Sequence, residues 1–204
     1  MPERITFGSL EEALSDRRPT EQSHVQRYLW AAEDAPRSPN ILDAACGCGF
    51  GAALLAREIP HAQITGVDNN EEALRHAETY FSNAAIRYIH ADLCHPDLPQ
   101  TLGRPPFDYV ISFETIEHLD DPNQFMLSLK SVSVPGCPMM ISIPLNHSDT
   151  IWHRKRYAFE DAEQFFWHWL RIRQIQFQRD GVDEVLVITG TMKNLEGEAS
   201  STQR

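Results

Sequence analysis

Asp43-Ala44-Ala45-Cys46-Gly47-Cys48-Gly49-Phe50-Gly51 decides how the chain is read. The apolar pair Ile41-Leu42 precedes it, and Ala52 to Glu58 after it has helix-forming character. A strand that turns through closely spaced glycines into a helix is the local plan of a nucleotide-binding loop. Glycine permits both the tight turn and the close approach of a ligand to the backbone. The spacing is G-x-G-x-G, and a tight strand-to-helix turn without a ligand is the alternative reading of this segment alone.

Ile64 to Asp68 reads as the next strand and ends on Asp68, 21 residues after Gly47. A carboxylate there can accept hydrogen bonds from both hydroxyls of a ribose. Helix capping is the other task for an Asp at this point, although Asn69 and Asn70 already suit it. Ile86 to His90 reads as a third strand, followed by Ala91-Asp92-Leu93. In open α/β sheets ligands bind outside the carboxyl ends of the strands. Asp92 can accept from an exocyclic amine there, and Leu93 can pack on a purine; taken alone, Asp92 also reads as a turn residue. Asp43, Asp68 and Asp92 together put an acid at or near the end of each of the first three strands. Folding alone does not explain this, because acids gathered at one sheet edge repel each other.

The remaining elements follow from periodicity and punctuation. Residues 9–34 read as helical, with apolar patches at Leu10, Ala13, Val25, Tyr28 and Leu29, and Pro36 and Pro39 end that stretch. Ala73, Ala77, Tyr80 and Phe81 give the helix after Asp68 one apolar face. Residues 94–106, with four prolines and a glycine, read as a loop. Tyr109 to Phe113 is a fourth strand. Asp121-Pro122 opens a helix carrying Phe125, Leu129 and Val132, closed by Pro135-Gly136. Met139 to Ile143 is a fifth strand, and a long connection spans residues 144–160. An aromatic core helix follows with Phe165, Phe166, Trp167 and Trp169. The hairpin Arg171 to Gln178 and Glu184 to Thr191, turning at Arg179-Asp180-Gly181, closes the pattern. Strands alternating with helices predict an α/β fold with a parallel, doubly wound sheet and antiparallel character at one edge.

The chain has 204 residues, a length that suggests one domain with a proper core. We place that domain at residues 1–193, with residues 1–35 as an N-terminal helical lid and 194–204 as a disordered tail. Apolar residues make up 42% and charged residues 23%, values ordinary for a globular protein. There is neither an apolar run long enough to span a bilayer nor a secretory signal, so a cytoplasmic protein without a membrane span is expected. The net charge of −11 argues against nucleic acid as partner, the most basic stretch being His153-Arg154-Lys155-Arg156. Cys46, Cys48, Cys94 and Cys137 form no C-x-x-C pair and are expected to be free thiols. His90, Cys94 and His95 lack the second half of a zinc pattern, so no metal is expected.

With these residues in hand, LDAACGCGFG, TGVDNNEEAL, HADL and FDYVISFETIEHLDDP resemble the successive motifs of class I S-adenosylmethionine-dependent methyltransferases. The order and spacing fit from about residue 24 to 191, and the closest flavour is that of small bacterial enzymes of the ubiquinone-biosynthesis and glycan-assembly types. HVQRYLWAA and His153 to Tyr157 suit that group. The resemblance implies a Rossmann-like, seven-stranded, mostly parallel sheet of order 3-2-1-4-5-7-6 with an antiparallel last strand. It implies S-adenosylmethionine as cofactor. By the same resemblance Gly47 and Gly49 carry the methionine part, with Asp43 beneath it near the amino group. Asp68 holds the ribose, with Asn69 beside it among the cofactor contacts; Asp92 and Leu93 hold adenine, and Phe113 lines the sulfonium side. Arg27 reaches the cofactor carboxylate or stands as an exposed helical arginine. Cys48, Pro135-Gly136-Cys137 and Arg156 depart from the family's usual residues, and Arg156 puts the substrate side in doubt.

Methyl transfer needs proximity and alignment, plus a base when the acceptor is an oxygen of high pKa. His118 and His153 are the candidate bases, with His118 also readable as a local hydrogen-bonding residue; His147 is a poorer candidate. Glu114 either supports the loop or orients the substrate, and Trp152 and Tyr157 are candidates for the acceptor pocket. The expected acceptor is an oxygen or nitrogen of a small molecule or glycan precursor, bound by a monomer or homodimer. The competing functions are a methyltransferase-like domain that binds without turnover and a nicotinamide-dependent oxidoreductase on the same sheet.

Overall fold

The computed structural model describes residues 5–37, 39–103, 106–145, 153–180 and 183–194. His147 and Trp152, the turn residue Gly181 and almost all of the expected tail lie outside them.

Seven strands form one sheet in the order β3-β2-β1-β4-β5-β7-β6. They are β1 Asn40–Ala44, β2 Gln63–Asp68, β3 Ile86–His90, β4 Tyr109–Phe113, β5 Pro138–Leu145, β6 Leu170–Asp180 and β7 Asp183–Met192. The first five are parallel; β7 runs antiparallel between β5 and β6. The expected order and the antiparallel last strand are therefore both present. Apolar side chains alternate across the sheet. Ile41, Tyr109, Ile111 and Met140 enter one core with α2 (Pro19–Asp34) and α3 (Phe50–Glu58). Leu42, Val110, Met139 and Ile141 enter the other, with α6 (Pro122–Val132) and α7 (Phe159–Trp169). A sheet covered on both faces accounts for the nearly continuous apolar runs of β1, β4 and β5.

The chain leaves β3 and returns past β1 to form β4, so the order reverses between β1 and β4. Loops on either side of such a switch point diverge and leave a crevice at the carboxyl ends of the strands.

Several local expectations are corrected. Residues 9–34 are two helices, α1 Leu10–Ser15 and α2, because Pro19 forces Arg18 into an extended conformation and restarts the helix. The segment read as a loop over 94–106 holds a short helix, α5 Leu98–Leu102. Pro99 sits in its first turn, where no N–H partner is needed, and Gly103 ends it in the left-handed region at φ 55°. In α4 (Glu71–Tyr80) the buried face is Ala73, Leu74 and Ala77, while Tyr80 is 54% exposed. Phe81, the residue after the helix, packs inward instead. Helix α3 begins two residues before its expected start, capped by Gly49 at φ 86°.

Helix α2 is bound to the glycine loop by close packing. A Cβ placed on Gly51 would lie 2.0 Å from the Tyr28 ring. Gly51→Ala is expected to destabilise the fold by about 1–3 kcal/mol, the usual cost of overpacking a fixed ring. Urea unfolding of the two proteins measures it.

Candidate functional site

A cavity of about 1110 Å³ opens over the carboxyl ends of the parallel strands. Its floor is the loop Ala45 to Cys48 after β1. Asp68 at the end of β2 with Asn69 and Asn70 after it, and Ala91, Asp92 and Leu93 after β3, form one side. Phe113 at the end of β4 and Glu114 and Thr115 after it form the back. From the N-terminal segment, Ile5, Thr20, Glu21, His24 and Tyr28 add a wall. Glu117, His118, His153 and Arg154 close the far end, beside Asp180 and Asp183 of the hairpin.

The glycine loop and the end of β2 are tied by one side chain. Asp68 is nearly buried, and its Oδ2 accepts from the Gly47 N–H at 2.9 Å while Oδ1 accepts from the Asn70 N–H at 2.9 Å. Asn70 in turn caps α4 by accepting from the Ala73 N–H at 2.9 Å. Asp92 Oδ1 accepts from the Cys94 N–H at 2.8 Å, which shapes the turn after β3 and leaves Leu93 buried against the cavity. Two non-glycine residues on the rim are in the left-handed region, Ala45 at φ 69° and Glu114 at φ 51°. Such conformations cost energy and persist where the surroundings over-determine them, commonly at ligand sites.

Asp43 lies below the loop, fully buried, and is not on the cavity wall. The Tyr28 hydroxyl donates to its carboxylate at 3.1 Å. The Tyr28 ring stands edge-on to Phe113, with centroids 5.0 Å apart, so these two rings separate Asp43 from the back of the site. Burial pushes the Asp43 carboxyl up to about 7, against the hydrogen bond from Tyr28, and the nearby Asp68 adds to the rise.

Arg27 is also fully buried. Its guanidinium donates to Gln178 Oε1 at 2.8 Å and Asp180 Oδ2 at 3.4 Å and lies 3.9 Å from Glu114 Oε1. The structure thus places Arg27 in a polar cluster joining α2, the β4 loop and β6, and not among the lining residues. The reading of Arg27 as an exposed helical arginine is corrected by this burial, which the acceptors contributed by β6 make tolerable. Gly49 sits beneath the loop against Ala77, while Gly47 lines the cavity.

His118 and His153, 35 residues apart in sequence, meet with ring centroids 4.9 Å apart. The Arg154 N–H donates to the Glu117 carbonyl at 2.7 Å and holds the second segment to the first. Glu117 is 1% exposed, and its carboxyl Oε1 lies 3.7 Å from His118 Nε2. Sequence reasoning did not select Glu117 or His24 as site residues; the only cue for Glu117 was its place beside His118. Tyr157 is buried in the core under β5 and does not line the cavity. Among the described residues, His90 and His95 form no ligand group with Cys94: His90 contacts the Asn69 carbonyl and His95 faces Asp97. All four cysteines are free.

The profile of the methyltransferase domain family matches residues 41–136. That span carries the loop, Asp68, Asp92 and the segment through α6. Residues 41–136 are thus similar to a methyltransferase domain. The chain is 36% identical to an uncharacterised methyltransferase of Mycobacterium tuberculosis over 115 residues, 55% of each chain. It is 32% identical to the mitochondrial ubiquinone biosynthesis O-methyltransferase of Schizosaccharomyces pombe over 107 residues, 50% of this chain and 36% of that one. The chain spans about half the length of the first curated relatives it matches. In fold it is similar to the N-methyltransferase NodS of Bradyrhizobium japonicum in complex with S-adenosyl-L-homocysteine. The TM-score is 0.67 at 18% identity, covering 90% of this chain and 96% of that one. The N-terminal helices, the connection before α7 and the hairpin lie outside the matched span, and they supply His24, His153, Asp180 and Asp183 to the cavity.

The raised Asp43 pKa makes a stability prediction for the ligand-free protein. Between about 4 and 7 the folded chain keeps a proton that the unfolded chain has lost, so this group's contribution to stability falls as pH rises through that window. Above about 7 both states are ionised and the fall ends. The slope is at most about 1.4 kcal/mol per pH unit. Asp43→Asn is expected to lose less stability than the parent between pH 5 and 8, measured as the change in unfolding midpoint.

Proposed function

We propose that the chain is an S-adenosylmethionine-dependent methyltransferase acting on an oxygen or nitrogen of a small molecule or glycan precursor. The observation that carries this reading is the placement of Gly47, Asp68, Asp92 and Leu93 around one cavity at the switch point of the sheet. The residues present fit that cofactor. A Cβ on Gly47 would meet nothing within 4 Å, so the loop backbone is open to a ligand. Acids at the ends of β2 and β3 match the hydroxyl and amine donors of a ribose and an adenine, and Leu93 and Phe113 supply apolar surface. The cavity is larger than a single small-ligand pocket, commonly about 300–1,000 Å³, and has room for an acceptor as well. Bound there, the cofactor supplies a methyl group on a sulfonium.

The chain's own residues then have distinct tasks in this reading. Asp68 and Asn69 hold the ribose, and Asp92 and Leu93 hold the adenine. Gly47 bears the methionine part, and Gly49 shapes the loop beneath it. Phe113 presents an aromatic face at the sulfonium end. Asp43 lends negative charge from below, where a bound cationic group favours its ionised form. Arg27 is a positioning residue that fixes Glu114, Gln178 and Asp180. His118 and His153 stand where the acceptor's proton would be taken when the acceptor is a hydroxyl. The domain of residues 1–193 uses its first 35 residues as a lid, since Glu21 and His24 line the cavity. Oxygen and nitrogen acceptors both have precedent in the names of the fission yeast relative and the rhizobial fold neighbour. Among the described residues no helix is long and apolar enough to cross a membrane. With four free cysteines, we read the enzyme as cytoplasmic.

Calorimetric titration with S-adenosylmethionine tests the reading. Micromolar binding is expected, weakened at least tenfold in Asp68→Ala, with no binding of NAD. Binding of NAD without S-adenosylmethionine would reverse the assignment.

A further inference from the structure

The far end of the cavity holds an arrangement that cofactor binding does not use. One oxygen of Glu117 and one ring nitrogen each of His118 and His153 all lie within 4.8 Å of one another. Glu117 is 1% exposed, and neither carboxyl oxygen has a hydrogen-bond partner among the described residues. A buried carboxylate without a hydrogen bond is costly, so its surroundings call for a cation or a proton. The Arg154 N–H to Glu117 carbonyl bond, at 2.7 Å, fixes the segment that brings His153 to the pair. Four more acids, Glu21, Glu114, Asp180 and Asp183, line the same cavity and favour a positive occupant.

We propose that Glu117, His118 and His153 bind a divalent first-row transition-metal ion at the acceptor end of the cavity. Two imidazoles and one carboxylate are the donor set of open zinc-type sites and are unlike the all-oxygen shells that calcium prefers. Ligand distances of about 2.1 Å in a tetrahedral shell set the donor atoms about 3.4 Å apart, so side-chain rotation of about an ångström closes the present trio. The set leaves one position open toward the cavity. An acceptor hydroxyl that takes that position loses its proton to solvent at lower pH than it does in water, and the oxygen keeps the electron pair it needs as a nucleophile. The acceptor part of this proposal rests on the methyl-transfer reading above; ion binding does not.

The test uses the full chain, stripped with chelator and titrated with Zn²⁺ by calorimetry and with Co²⁺ by visible absorption. One ion per chain is expected, with at least tenfold weaker binding in His153→Ala and in Glu117→Gln and no change in His95→Ala. Circular dichroism establishes that each variant is folded, and His153, in a surface connection, serves should Glu117→Gln unfold. Absence of saturable binding, or binding that both site variants leave unchanged, overturns the proposal. S-adenosylmethionine titrated into the same stripped protein separates the two readings. Its binding without metal binding sinks only the ion site, and metal binding without it sinks only the cofactor assignment.

Discussion

Two N–H groups converging on the Asp68 carboxylate make the loop after β1 and the turn after β2 a single unit. Gly47 donates from one side and Asn70 from the other, each at 2.9 Å. Asn70 caps α4, so the same carboxylate is linked to a helix terminus. Below the loop, Tyr28 reaches Asp43 and packs over Gly51, which connects α2 to the same unit. The cavity floor is therefore fixed by parts from β1, β2, α2 and α3 before any ligand arrives. Preorganisation of this kind lowers the entropy lost on binding.

Charge divides the cavity into two ends. At the β2 and β3 end, Asp68 and Asp92 already serve backbone N–H groups and stand beside apolar Leu93. At the other end the acids are more numerous, and the described cation on the wall is Arg154, 3.4 Å from Asp120. The buried Arg27 balances Asp180 and Glu114 from outside the cavity. A site arranged this way suits a ligand of mixed charge at one end and a positive occupant at the other.

Much of this was legible in the chain. The parallel, doubly wound sheet followed from strands alternating with helices, the strand order from the resemblance of the motifs, and Asp68 stood out by its distance from Gly47. What local patterns did not reveal depended on tertiary placement. The restart of the helix at Pro19 and the short helix containing Pro99 needed the positions of prolines in first turns. Tyr80 had the right period for a buried face, but Leu74 takes its place beside Ala73 and Ala77. Arg27 read either as a contact to the cofactor carboxylate or as an exposed helical arginine, because its partners, Gln178 and Asp180, come from a strand some 150 residues away. Glu117 acquires meaning only through the backbone bond that joins its segment to that of His153.

The most direct measurement is a crystal structure of the protein grown with S-adenosyl-L-homocysteine. The account predicts the ligand over the loop from Ala45 to Cys48, its ribose hydroxyls on Asp68 and its adenine between Asp92 and Leu93. A ligand bound outside that cavity, or seated there with its adenine turned away from Asp92, would contradict it.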